Sequence, residues 1–368
     1  MAVRERLLEG LVNMFWQGKR VFLTGHTGFK GAWLTLWLTT LGAEVTGYAL
    51  APPTSPSLYD LTGAEKKINS HTADIRDLDT LTGAMAECRP DIAVHMAAQS
   101  LVRPSYADPV ATYETNIMGT VYFLESVRRT PGIRAALVIT SDKCYRNDGE
   151  VHTEDDPMGG RDPYSSSKGC GELVTAAYRD SFFPSGAYDS HGVALASARA
   201  GNVIGGGDWG ADRLLPDCVR ALEKGEPILV RNPQAIRPWQ HVLDCLHGYL
   251  LLMEKLYEKG PAYGGAFNFG PNTGDEHSAL WVTERVCAAW GTGASHRVDT
   301  RENAPPEAPV LRLDSSLARR VLGWESRLCA EEAVRWTVDW YRKYRQVSPA
   351  SLCEDQIGAY REGLPWSL

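Results

Sequence analysis

Residues 19–31 read Lys19-Arg-Val-Phe-Leu-Thr24-Gly25-His-Thr-Gly28-Phe-Lys-Gly31, and the order of elements within this stretch decides the fold. Lys19–Thr24 is a compact apolar strand, and Gly31–Leu41 carries a helical pattern. The three glycines lie where a strand turns into a helix. The first permits a tight turn, the second lets the backbone approach a pyrophosphate, and the third lets helix pack on strand. The N-terminus of the helix then offers unpaired N–H groups to an anion. The spacing is GxxGxxG rather than GxGxxG, so the flanking strand and helix carry much of the signal.

Working outward, Glu44–Leu50, Asp91–Met96 and Ala135–Thr140 read as further strands, with helical stretches over Thr112–Arg129 and Ser166–Phe182. Such alternation predicts parallel βαβ units. The fold class is therefore α/β: a doubly wound parallel Rossmann-type sheet with a smaller C-terminal α/β substrate domain. After Asn202 the texture changes. Gly205-Gly206-Gly207 reads as a flexible loop, Asn232-Pro233 and Arg237-Pro238 punctuate short elements, and Asn303–Pro309 reads as a surface loop. Helices are expected at Ser315–Leu322 and Glu331–Tyr344. The first domain is placed at 14–202 with a return segment near 240–270. The second is placed at 203–239 and 271–346, leaving terminal extensions at 1–13 and 347–368.

Composition excludes several classes. With 38 Lys and Arg against 45 Asp and Glu, the net charge of −7 disfavours non-specific nucleic-acid binding, which rests on neutralising phosphates. The eight cysteines contain no CxxC pair, and the nine histidines no HExxH, so no metal is expected. Reduced thiols and a cytoplasmic location are the plain expectation. No apolar stretch reaches the roughly 18–20 residues of a membrane-spanning helix. Met1–Phe15 carries Arg4, Glu5, Arg6 and Glu9 and reads as a short amphipathic helix rather than a signal peptide.

Two later stretches carry chemistry. Tyr164 and Lys168 stand four apart, which puts them on one face of a helix that Asp162-Pro163 is suited to start. A nearby ammonium favours the phenolate, and a Tyr so tuned takes a proton from a substrate hydroxyl. Thr140-Ser141-Asp142-Lys143 follows an apolar strand, where doubly wound sheets bind ligands. There an acid and a base side by side serve two proton transfers. The second strand ends Gly47-Tyr48-Ala49-Leu50, with neither the acid that holds an NAD ribose nor an Arg for an NADP phosphate. The residues alone leave that choice open. Asp74-Ile75, after the next strand, is the alternative contact for the adenine end.

Gly25–Gly31, His95-Met-Ala-Ala-Gln99, Ser141-Asp-Lys143 and Tyr164/Lys168 occur in the order of the extended short-chain dehydrogenase/reductases. The longer strings GHTGFKG, HMAAQ, SDKCY, PYSSSKGCGELV, RAGNVIGGGDW and IRPWQHV closely resemble the CDP-glucose 4,6-dehydratases, from about Phe15 to Tyr344. The resemblance implies NAD as cofactor, held by Gly25, His26, Thr27, Gly28, Phe29, Lys30, Gly31, Asp74, Ile75, Ala97, Ala98, Gln99, Asn116, Thr140, Tyr164 and Lys168. It implies a catalytic set of Ser141, Asp142, Lys143, Tyr164 and Lys168, with Asp142 the acid and Lys143 the base of an elimination. It implies substrate contacts at Gln99, Arg103, Ser141, Asn202, Trp209, Arg213 and Arg237. The expected partner is a nucleotide sugar, CDP-glucose, with self-association as a dimer or tetramer through the helices near 112–129 and 166–182.

Three other readings compete. A dehydratase for UDP-N-acetylglucosamine also places Lys after the Asp. A 4-epimerase would use the same Tyr and Lys, but it has no water to expel and so no use for Asp142-Lys143. A dinucleotide-binding regulator would need none of the acid–base groups.

Overall fold

β1 (Arg20–Thr24) runs through the glycine loop into α1 (Phe29–Thr40), and β2 (Glu44–Ala49) returns beside β1. β3 (Asn69–Thr72), α2 (Leu78–Cys88) and β4 (Ile92–His95) follow. A helical run ending in α3 (Gly119–Arg129) leads to β5 (Ala135–Ile139), α4 (Pro163–Ser181) and β6 (Ala194–Ala200). The chain then leaves the sheet for α5 (Leu214–Glu223), returns along α6 (Val242–Lys259) and adds β7 (Gly265–Phe269). Helices α7 (Ala279–Trp290), α8 (Ala330–Lys343) and α9 (Pro349–Glu362) follow. The structure, a computed structural model, describes residues 15–146, 148–299 and 310–363. The N-terminal helix and the loop Asn303–Pro309 expected from sequence lie outside the described residues.

The seven strands are parallel in the order β7-β6-β5-β4-β1-β2-β3. The winding direction reverses between β1 and β4, and a crevice opens at the carboxyl ends of those two strands. Alternation along each strand sends side chains to opposite faces. Val21 and Leu23 join Trp33, Trp37 and Tyr249 on one face, while Phe22 joins Met85 and Phe123 on the other. Leu137 and Val138 divide in the same way. Both faces are covered by helices, which explains why these strands read as continuous apolar runs. Helix starts are chemically marked. Asp77 accepts from the Thr80 amide, and Asp162 accepts from the Ser165 amide with Pro163 in the first turn of α4. A third apolar cluster gathers Ile204, Leu215, Val230, Trp239, Val282, Val334 and Val338.

Two features depart from the sequence reading. The run Gly205-Gly206-Gly207 is buried rather than a flexible loop. The Trp33 indole donates to the Gly206 carbonyl at 2.9 Å, and a Cβ on Gly206 would lie 2.1 Å from Cγ of Trp340. Glycine is there for close approach. The C-terminal stretch is also not an appendage. Helix α9 buries Leu352, Cys353, Ile357 and Tyr360 in the same core cluster as α1. Each large apolar side chain so buried contributes about 1.5–3 kcal/mol.

Candidate active site

Gly25 takes φ +77°, and a Cβ there would lie 2.6 Å from the Ala97 nitrogen. β1 and β4 thus approach more closely at the switch point than any side chain permits. A Cβ on Gly31 would lie 2.1 Å from the Gly25 carbonyl oxygen, which presses α1 against the turn. Gly28 N-caps α1 without a side-chain acceptor, so the first-turn amides face the cleft that Gly28, Phe29, Lys30 and Gly31 line. Thr27 donates to the Leu50 carbonyl at 2.9 Å, tying the loop to the end of β2. His26 does not face the cleft. Its imidazole is buried over Gly47, with Nε2 2.8 Å from Ser70 Oγ, and burial lowers its pKa to about 4. It braces the loop from behind as a neutral ring.

At the end of β3, Asp74 is engaged by Arg76 at 2.7 Å, and this hydrogen bonding holds its carboxyl below the ordinary range. Arg76 also pairs with Glu114 at 3.1 Å. Ile75 is buried beneath Gly119. Beyond β4, Ala97, Ala98 and Gln99 line the cleft. The Gln99 side chain is turned onto its own loop, donating to the Leu101 carbonyl at 2.9 Å and to Thr112 at 3.1 Å. Asn116 is buried in a π-helical turn, Glu114–Met118. It accepts from the Gln99 amide at 2.8 Å and donates to the Gln99 carbonyl at 2.9 Å and to Ser167 Oγ at 2.8 Å. Single π turns inside helices occur often at functional sites. Asn116 thereby ties the β4 loop to α4.

The residues expected to carry the acid–base chemistry meet where β5 ends. Thr140 donates to the buried Glu172 carboxylate. Ser141 Oγ donates to Asp142 Oδ1 at 2.8 Å, and Lys143 Nζ lies 3.0 Å from the same oxygen. Lys143 also donates to Asn202 Oδ1 at 3.2 Å, joining the ends of β5 and β6. Asp142 is 1% exposed, and its Oδ2 is buried without a hydrogen-bond partner among the described residues. Tyr164 is buried beside them. Burial raises its pKa, opposed by the Lys143 charge and by hydrogen bonding with Ser141. This corrects the sequence expectation that Lys168 tunes the phenol. The two share a helix, but Lys168 Nζ donates to the Ile139 carbonyl at 3.3 Å. Burial, and then the charge of Lys30, lowers Lys168 to about 8. Lys30 is lowered as well, chiefly by burial.

One cleft of about 1820 Å³ connects the glycine loop, this cluster and the α5 side. It exceeds the ~300–1,000 Å³ of single-ligand pockets and suits two extended ligands. Arg213 lines it, held by Asp208 at 2.9 Å and Ser100 at 2.9 Å. Arg103 pairs with Asp212 at 3.1 Å. Arg237 lies buried in the cleft wall and donates to the Ile236 carbonyl at 2.8 Å. Trp209 lines the cleft with one edge and packs on Trp340, Tyr341 and Tyr344 with the rest. Sequence reasoning missed Arg76, Arg231 and Arg297, which also line the cleft. None sits in a motif, so only their place in the fold reveals them.

The fold and the crevice it forms are those of an extended short-chain dehydrogenase/reductase. The chain belongs to the family described as GDP-mannose 4,6 dehydratase, which matches residues 22–337. It is 50% identical over 92% of its length, and 95% of the relative's, to CDP-glucose 4,6-dehydratase of Salmonella typhimurium. Among solved structures, a UDP-glucose 4-epimerase of Thermus thermophilus in complex with NAD is similar, with TM-score 0.74 and 25% identity. That match covers 88% of this chain and 99% of the other. DesIV, a dTDP-glucose 4,6-dehydratase from Streptomyces venezuelae with NAD and TYD bound, shares the fold at TM-score 0.74 and 24% identity. It covers 89% of this chain and 98% of its own.

Proposed function

We propose that this protein is an NAD-dependent hydro-lyase that converts CDP-glucose to CDP-4-keto-6-deoxyglucose and water, in deoxysugar biosynthesis. The observation that carries the reading is the Asp142–Lys143 pair at the carboxyl end of β5 beside Tyr164, with Asp142 buried and Lys143 half-buried. An epimerase has no use for it. The 50% identity to a CDP-glucose 4,6-dehydratase supports the substrate, and the NAD complexes among the structural neighbours support the cofactor.

The glycine cradle fits a dinucleotide, because the close approaches at Gly25 and Gly31 bring bare first-turn amides of α1 to the cleft. Gly28, Phe29, Lys30 and Gly31 would hold the diphosphate, with Thr27, Asp74, Ile75, Ala97 and Ala98 around the rest. Bound there, NAD supplies the acceptor for the hydride of sugar carbon 4 and its donor to carbon 6. Tyr164 takes the proton of the 4-hydroxyl, assisted by Ser141 and by the positive charge of Lys143. Lys143 then removes the proton from carbon 5, and Asp142 protonates the departing 6-hydroxyl.

These last roles need a neutral amine and a neutral carboxyl. Passing one proton across the 3.0 Å contact between Lys143 Nζ and Asp142 turns the ion pair into that neutral pair. Asn202, Arg213 and Arg237 are the proposed diphosphate contacts of the substrate, with Arg103, Gln99 and Trp209 at the margins.

Tyr106, Val110, Tyr113, Met118, Leu173 and Phe182 are exposed on α4, at its end and on the helical turns before α3. Exposed apolar side chains on neighbouring helical segments support self-association. All eight cysteines are free thiols, which supports a reducing, cytoplasmic location. Among the described residues no helix is long and apolar enough to cross a membrane.

The test is turnover of purified protein with NAD and, separately, CDP-glucose, dTDP-glucose, UDP-glucose, UDP-N-acetylglucosamine and GDP-mannose. The readout is the alkaline absorbance of a 4-keto-6-deoxy product. Strong preference for CDP-glucose is expected, and no product from any of the five would refute the reading.

A further inference from the structure

Beneath the acid–base cluster lies a second polar network that the proton and hydride transfers leave unused. Glu172 sits on α4 two turns beyond Tyr164, and Arg199 sits on β6; they pair at 2.8 Å with side chains only 4% and 5% exposed. Glu172 accepts from Thr140, from Ser197 Oγ at 2.6 Å and from Arg199. Arg199 also donates to the Tyr145 hydroxyl at 2.6 Å and to the Glu154 carbonyl at 2.9 Å. Tyr145 donates in turn to Asn268 Oδ1 on β7 at 2.6 Å.

Position along the chain gives this network its meaning. Thr140 and Tyr145 are the two ends of the turn that presents Ser141, Asp142 and Lys143. One end is held by Glu172 and the other by Arg199, so a single buried ion pair brackets the turn. Glu172 also shares its helix with Tyr164 and Lys168. The pair therefore sets the position of the elimination residues against the oxidation residues. Stability alone does not account for it, because well-packed apolar side chains of like volume commonly serve as well as a buried ion pair. Hydrogen bonds in a low-dielectric interior instead enforce one geometry.

Resting on the dehydratase reading, we infer that Glu172, Arg199 and Tyr145 are positioning residues for the Asp142–Lys143 turn, and that Tyr145 controls the elimination more than the oxidation at carbon 4. Displacing a proton-transfer group by about 1 Å costs up to about a hundredfold in rate. Tyr164, on α4, and Ser141, next to the Thr140 end that Glu172 still holds, keep their place when the Tyr145 end is loosened.

Tyr145→Phe tests this, since it removes the hydroxyl and leaves the ring stacked on His152. With NAD and CDP-glucose, kcat is expected to fall about ten- to a hundredfold at unchanged KM. Enzyme-bound NADH, read at its near-ultraviolet absorbance during turnover, is expected to rise above wild type, with the melting temperature close to wild type. Glu172→Gln serves as the second variant and is expected to lower kcat without that rise, because it disturbs both sets of residues. Unchanged kcat and NADH in Tyr145→Phe would overturn the inference, as would a loss of kcat that follows a lowered melting temperature without NADH build-up. Wild-type protein that makes no product would overturn the functional reading, and this inference with it; normal wild-type turnover beside an unaffected Tyr145→Phe overturns this inference alone.

Discussion

Replacing Lys168 by Met should raise the stability of the ligand-free protein. The buried ammonium has its pKa lowered from 10.5 to about 8, chiefly by burial and then by Lys30. At about 1.4 kcal/mol per pH unit, holding that charge in the fold costs about 3 kcal/mol. The contact to the Ile139 carbonyl returns about 1 kcal/mol of this when it is present. The net gain for Lys168→Met is thus about 2 kcal/mol at neutral pH. For 368 residues the unfolding entropy is about 0.8 kcal/mol/K, so the melting temperature should rise by about 2–3 °C. The sign of the pH dependence is set by the folded value lying below the unfolded one. Below pH 8 both states are protonated and the folded state carries the full cost. Between about 8 and 10.5 the folded side chain is neutral while the unfolded one stays charged, so wild-type stability rises with pH and the advantage of Lys168→Met shrinks. Scanning calorimetry of both proteins at about pH 7, 8, 9 and 10 measures this. A variant that melts below wild type at neutral pH, or a difference that does not vary with pH, would refute the reasoning.

Three further outcomes are expected. Asp142→Asn and Lys143→Met should each lower formation of the 4-keto-6-deoxy product by about 10²–10⁴-fold, as loss of a general acid or base does; the product absorbance assay measures it, and near-wild-type turnover would remove both from the mechanism. Gly206→Ala places a Cβ 2.1 Å from Trp340 Cγ and should destabilise the fold by about 1–3 kcal/mol, read from the urea midpoint. Leu173→Glu puts a charge on an exposed apolar face of α4 and should shift the protein toward monomer in light scattering after size exclusion, with no effect on its melting as a monomer.

Much of the sheet was legible because its strands are buried on both faces and its first turn is spelled in glycine. The strands beginning near Arg20, Glu44, Ile92 and Ala135 fall where the apolar runs do. That Ser141, Asp142, Lys143 and Tyr164 stand together was legible because their motifs are local. Electrostatics was not, since four-residue spacing puts Tyr164 and Lys168 on one helix face but does not say where a flexible ammonium ends. Lys168 turns to the Ile139 carbonyl, and Lys143 supplies the charge beside the phenol. His26 stands among the loop glycines yet points behind the loop, because Gly47 leaves room for its ring. The π turn that aims Asn116 has no residue signature. Helix α9 was missed although Leu352, Cys353, Gln356, Ile357 and Tyr360 recur at helical spacing, a signal readable in the sequence.

The order of synthesis gives the late strands an added consequence. Tyr145 is secured by Asn268, and the short strand Val151–His152 pairs with Arg312–Leu313. A growing chain on the ribosome completes the first six strands, glycine loop and α4 included, before any of those later residues has emerged. Domains fold as units, so the turn that carries Asp142 and Lys143 gains its last anchors only when residues 268 and 312–313 have been made. A polypeptide that ended before them would lack the contacts that hold Tyr145 and the strand after it.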